Sequence, residues 1–202
     1  MRFLVAIVVL ASSPALAQVT YTAQTRSIHV FASGLGYSGP DITRSAPDFA
    51  PFNEIASSVS SDCWASASQS SSLDPGRVIV ETAAGATRHG GFSGIASSAL
   101  DVTFGVSGST PWTLRGAYHQ ISTVILTTQA GTTIFRTPIG SVGGTLDASG
   151  LLDPGFYRLQ VTSWAEPNVS TSSVALTLTI PGPGPMGFLP LLALAARRSR
   201  RI

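Results

Sequence analysis

Lysine is absent from this chain of 202 residues, cysteine occurs once, and charged side chains make up 11% of it. Each shortage excludes something. A single cysteine, Cys63, forbids an intramolecular disulfide, so stability must come from packing rather than from staples. Intermolecular pairing or a reactive thiol is open to it. The reading adopted is a small buried side chain on a strand beside Trp64, because free cysteine is among the most buried residue types. His29, His89 and His119 lie far apart, with no His-x-x-x-His pair and no HExxH, so zinc chemistry lacks its usual spacing. No apolar run approaches the about 20 residues that a membrane helix needs. Between its two ends the chain also lacks a convincing 3.6-residue period.

What the sequence does hold is most legible at those ends. Met1-Arg2 supplies a positive charge, Phe3 to Ala11 is unbroken apolar sequence, and Ala15-Leu16-Ala17 is an A-x-A-like site. This layout predicts a secretory signal peptide over 1–17, cut by signal peptidase between Ala17 and Gln18. At the other end, Pro181-Gly-Pro-Gly-Pro185 is followed by Met186 to Ala196 and then by Arg197, Arg198, Arg200 and Arg201. As a helix that apolar segment rises only about 17 Å against a hydrocarbon core of about 30 Å, and Pro190 interrupts it. Transient insertion with the arginines held in the cytoplasm fits these lengths better than a permanent anchor. With both ends set aside, residues 18–180 hold seven arginines against ten acidic residues, a net charge of about −3. A weakly acidic body offers no footprint for nucleic acid, which wants a basic patch. Its length suits a single domain with a real core.

Leader and tail together resemble the PEP-CTERM class of exported bacterial proteins, whose C-terminal signal is a short proline motif, an apolar segment and an arginine cluster. The likeness covers about Ile180 to Ile202 and the generic leader. Pro183-Gly-Pro185 stands where the motif that names the class has Pro-Glu-Pro. The resemblance implies recognition by an exosortase-like processing enzyme and sorting to the cell surface. Pro181, Pro183 and Pro185 would then be the recognised elements, and Arg197, Arg198, Arg200 and Arg201 the basic stop.

The body reads as all-β. Apolar residues recur with period two in Ser27–Phe31, Arg77–Thr82, Leu100–Val106, Phe156–Thr162 and Val174–Ile180, the mark of strands with one buried and one wet face. Thr123–Thr128 and Thr132–Thr137 flank Gln129-Ala-Gly131 as a hairpin would. Trp112–Tyr118 and a long Ser/Ala strand from about Ser57 to Gln69 bring the expectation to eight or nine strands. These predict one antiparallel β-sandwich, jelly-roll-like, over 18–180. Leu73-Asp-Pro-Gly76 recurs as Leu152-Asp-Pro-Gly155, with the chemistry of a type II turn. After the second copy, Tyr157 is placed to fold its hydroxyl back onto the backbone, as a tyrosine corner does. Ser33–Pro51, rich in Gly and Pro, reads as the longest irregular stretch. It is a strand crossover packed by Phe49 and Phe52, or a binding loop with Tyr37, Asp41, Arg44 and Asp48.

No catalytic spacing emerges. Gly91-Phe-Ser-Gly94 lacks the G-x-S-x-G interval, and no carboxylate pair is evident for glycoside hydrolysis. Asp147 and Asp153 bracket a Ser/Gly loop without EF-hand spacing, so no metal or cofactor is expected. Trp64, Trp112 and Trp164 either fill the core or present flat faces to pyranose rings. The sequence therefore points to an exported β-sandwich protein of the cell surface or extracellular matrix, with a structural or interaction role and no enzymatic activity. The second reading is a carbohydrate-binding module that contacts surface polysaccharide through exposed tryptophans. The third is a secreted hydrolase.

Overall fold

Alternation of side chains across the backbone decides which segments become strands here. In Val174–Thr179 the side chains of Val174, Leu176 and Leu178 are buried, while Ala175, Thr177 and Thr179 face outward. The computed structural model describes residues 18–138, 142–166 and 171–181. The predicted elements at Ala15, Ala17, Pro183, Pro185, Arg197, Arg198, Arg200 and Arg201 lie outside the described residues, with Gln18 and Pro181 at the inner margin of each end.

Among the described residues there are thirteen strands and no helix. In chain order they are β1 (Val19–Ala32), β2 (Ile42–Ser45), β3 (Phe52–Val59), β4 (Trp64–Asp74), β5 (Arg77–Ala86), β6 (Arg88–His89), β7 (Phe92–Val106), β8 (Thr110–His119), β9 (Ser122–Thr128), β10 (Thr133–Arg136), β11 (Gly143–Leu152), β12 (Gly155–Ala165) and β13 (Thr171–Thr179). They form two antiparallel sheets packed against each other. One runs β10-β9-β12-β7-β1-β2, with β6 paired to β7; the other runs β11-β8-β13-β5-β4-β3. The expected all-β sandwich is what the chain adopts, with more strands than the eight or nine expected.

The surplus lies where both faces of a segment are small or polar. The single strand expected from Ser57 to Gln69 is two, β3 and β4, joined by a turn in which the Ser60 and Cys63 backbones bond at 2.9 Å. The Cys63 N–H also donates to Ser60 Oγ at 3.0 Å. Cys63 is buried, but in this turn rather than on a strand. The Ser/Gly segment around Asp147 is no loop but the edge strand β11, paired with β8 along its length. The irregular stretch from Ser33 to Pro51 contains β2.

The two Leu-Asp-Pro-Gly segments do different jobs. Asp74 and Arg77 close the β4–β5 hairpin, with Gly76 at φ 74°, as a type II turn demands. The second copy carries the chain from β11 in one sheet to β12 in the other, and Gly155 is near-extended at φ 159°. Each copy nonetheless receives a tyrosine hydroxyl on its aspartate carbonyl. Tyr157 O–H donates to Asp153 O at 2.6 Å, the expected tyrosine corner, and Tyr21 O–H donates to Asp74 O at 2.7 Å.

Two hydrophobic clusters fill the space between the sheets. The larger holds Phe104, Tyr157, Trp112, Leu114, Leu126, Leu159 and Leu178 among others, with the Tyr21, Phe104 and Tyr157 rings in contact at 6.4 and 5.8 Å. The smaller is mostly alanine: Ala56, Ala65, Ala67, Ala84, Ala86, Ala96 and Ala165, with Ile28 and Val30. A polar seam separates them, in which Thr82 Oγ1 lies 2.6 Å from Ser163 Oγ. Arg26, fully buried, donates to the carbonyls of Asp48 and Ala50 and to Ser71 Oγ, and lies over the Phe52 ring. Burial pulls its pKa down and the nearby Asp48 carboxylate opposes that shift. Arg26 thereby fastens the crossover between the sheets.

Candidate functional site

On the outer face of the β11-β8-β13-β5-β4-β3 sheet the sequence pattern sets small polar side chains beside a few large apolar ones. On β4 the outward residues are Trp64, Ser66, Ser68, Ser70 and Ser72; on β5 they include Glu81, Ala83 and Gly85; on β13, Thr171, Ser173 and Ala175. Pairing aligns them in rows: Ser57, Ser66, Gly85 and Thr171 in one, then Ile55, Ser68, Ala83 and Ser173, then Asn53, Ser70, Glu81 and Ala175. The small side chains of β5 and β13 form a floor, while Ile55 on β3, 71% exposed, and Trp64 stand above it. The result is a groove along the strands made of two contiguous hollows of about 330 Å³ each, which share Ile55, Ser68, Ala83 and Ser173.

Trp64 heads that groove. Its indole lies over Gly85, where a β-carbon would come within 3.0 Å of Cη2 and 3.1 Å of Cζ3. The outer atoms of the six-membered ring therefore lie against the Gly85 backbone, and 41% of the residue remains exposed. The backbone is also held tightly, because Trp64 N–H donates to Thr87 Oγ1 and Trp64 O accepts from Thr87 N–H, both at 2.9 Å. An aromatic laid across a facing glycine is a recurrent device in this fold. Phe156 covers Gly105 on the outside, and Trp112 and Tyr118 cover Gly150 and Gly144. Stabilising the sheet is thus one job of such a ring; only the outward ones keep a face free.

The three tryptophans therefore divide. Trp112 is 4% exposed inside the larger cluster, which corrects its place among possible glycan contacts: no face of the ring is available. Trp164, 40% exposed, lies on the outer face of the opposite sheet beside Ser97, with its Nε1–H directed at Glu166 at 3.4 Å. Trp64 and Trp164 are not brought onto one surface.

The polar residues of the crossover serve as fasteners. Asp41 Oδ1 lies 2.8 Å from His29 Nε2, Arg44 pairs with Glu54 at 3.4 Å, and the Asp48 carboxylate accepts from Ala50 N–H at 2.8 Å. Phe52 is buried, while Phe49 stacks on Tyr21 and stays 41% exposed. Tyr37 is exposed. Among the described residues no group of three or more His, Cys, Asp or Glu comes together to hold a metal ion. Asp147 faces Arg115 at 3.8 Å and Asp153 accepts from Ser109 at 3.0 Å.

The groove also has a fixed direction relative to the chain ends. Gln18 and Ser107 exchange hydrogen bonds, and Pro181 O accepts from Thr110 Oγ1, so both described ends leave from the Phe104 end of the sandwich. Trp64 sits at the other end, level with Thr171 at the start of β13. About 30 Å of strand separates them. Sequence reasoning singled out Trp64 but missed Gly85, Ile55 and Glu81. The signal available was the period-two serine run from Ser66 to Ser70.

No family model matches the chain, and no curated relative matches it in sequence. Among solved structures it is similar to the Podospora anserina GH26-CBM35 β-(1,4)-mannanase, at 19% identity over 43% of this chain and 20% of that one, with a TM-score of 0.24. A likeness so limited carries no argument about this chain.

Proposed function

We propose that the protein is an exported, non-catalytic interaction module of the cell surface or extracellular matrix, whose groove beside Trp64 holds a polysaccharide chain. The observation that carries this reading is the indole lodged against Gly85 while 41% of the residue stays exposed. It stands at the head of a groove floored by small side chains and lined by hydroxyls. A pyranose presents an apolar C–H face to such a ring, and its hydroxyls exchange hydrogen bonds with Ser, Thr and Asn at the margin. Export and sorting rest on the two ends: the leader over 1–17, and a tail that resembles the PEP-CTERM signal and would meet an exosortase-like enzyme. The tail leaves from the end opposite Trp64, so a chain held at the envelope would turn its groove outward.

Retention of the wild-type protein in gels containing soluble polysaccharide tests the binding half, beside Trp64→Ala and Trp112→Ala. Trp64→Ala should abolish retention and cost less than about 1 kcal/mol of stability, since one cross-strand contact is lost. Trp112→Ala should cost about 3–5 kcal/mol. Full retention by Trp64→Ala would end the glycan reading and leave a purely structural role. Peptide mapping of protein recovered from the host surface tests the sorting half: a chain intact to Ile202 would count against exosortase processing.

A further inference from the structure

The lining of the groove also bears on which polysaccharide it takes, an inference that rests on the reading just given. Glu81 apart, the side chains that line the two hollows are hydroxyl, amide or apolar, so among the described residues Glu81 is the one charged group there. Glu81 is exposed and has neither an ion-pair nor a hydrogen-bond partner among the described residues. Its neighbours across the ladders are Ser70 and Ala175, which cannot neutralise it. The nearest cationic or titratable groups on this face are Arg77, Arg115 and His119, each about 12 Å away by strand spacing. Arg115 is further occupied by Asp147. At that distance, comparable to the Debye length, they screen Glu81 little.

We infer that the groove selects polymers of amino sugars with free, protonated amines over neutral ones, and rejects polyuronates, with Glu81 as the specificity-determining residue. The Trp64 indole, over Gly85, and Glu81 stand about 13 Å apart along β5, so one chain several sugars long stacks on the first and offers an ammonium to the second. A carboxylate on the sugar would meet Glu81 with no cation between them. The ammonium–carboxylate contact is solvent-exposed, which limits the gain to about three- to fivefold in affinity.

The test is calorimetric titration of the full protein, at about pH 5.5, where amines are protonated. Three probes of equal length are compared: an N-acetylglucosamine oligomer, its fully de-N-acetylated form and a uronic acid oligomer. The de-N-acetylated oligomer should bind about three- to fivefold tighter than the acetylated one, and the uronate weakest. Glu81→Gln should bring the first two to equal affinity, and high salt should do the same. Equal affinities in the wild type, or a preference that survives Glu81→Gln, overturn the inference while Trp64-dependent binding still stands. Failure of the wild type to bind any of the three overturns both.

Discussion

The two ends of the sandwich interior solve the same problem with opposite materials. At the end where the chain enters and leaves, Tyr21, Phe104 and Tyr157 fill the gap between the sheets, the Tyr21 hydroxyl reaching across to the Asp74 carbonyl and the Tyr157 hydroxyl closing back onto the Asp153 carbonyl. At the Trp64 end, alanine faces alanine and the backbones themselves meet. Gly94 N–H donates to Thr87 O at 2.9 Å, and a β-carbon on Gly94 would lie 2.3 Å from Trp64 O. Large side chains keep packed sheets about 10 Å apart, whereas methyl groups do not reach that far. The interior therefore tapers toward Trp64. Small residues draw β4 and β7 together, and that closeness fixes the backbone from which the indole projects. Packing inside the molecule thus sets the platform outside it.

The wide end is the more sensitive to lost volume. Phe104, fully buried between two tyrosine rings, leaves a cavity when truncated. Phe104→Ala should cost about 3–5 kcal/mol in urea denaturation and leave polysaccharide retention of the folded fraction intact. At the narrow end the sensitivity reverses, because adding matter is what hurts. Gly94→Ala places a methyl against a carbonyl that cannot rotate away, and should cost about 1–3 kcal/mol. Since the displaced atom belongs to Trp64, the same variant should weaken retention too. Equal retention in both variants would uncouple the taper from the platform. The smallest effect is a pH dependence confined to the wide end. Burial, and then the Asp74 charge, push the Tyr21 hydroxyl up to about 12, above its ordinary value of 10.0. The fold favours the neutral phenol, so this stabilisation is complete below pH 10 and is lost as pH climbs through about 12. Tyr157 is shifted the same way by its own burial and by Asp153. Thermal melting of Tyr21→Phe against wild type should show a flatter decline above pH 10.

Where side chains alternate between plainly apolar and plainly polar, the strands could be read directly: β5, β7, β9 and β12 contain the segments expected of them, and β13 all of its own but Ile180. The Gln129-Ala-Gly131 turn and the Tyr157 corner were legible for the same local reason, since each depends on residues within five positions of one another. β4 was not legible in that way. Ala65, Ala67, Gln69 and Ser71 point inward, while Ser66, Ser68 and Ser70 point outward, and nothing in that composition says which set is buried. β11 failed to register as a strand because its glycines make room for Trp112 and Tyr118 on β8, a need visible only across the ladder. Arg26 gave no warning either. A lone arginine in an alternating segment reads as a solvent-facing residue, yet its guanidinium is buried against carbonyls more than twenty positions away.

The sequence by itself determined the all-β class, the turns and the layout of the two ends, because period-two alternation, Pro-Gly turn chemistry and apolar run length are local properties. Tertiary structure alone decided which tryptophan is covered, which face of the serine strand is wet, and that Glu81 stands unpaired in the groove headed by Trp64. Those outcomes depend on which strands pair and how closely the sheets approach. Both are set by side chains far apart in the chain, and no local pattern encodes them.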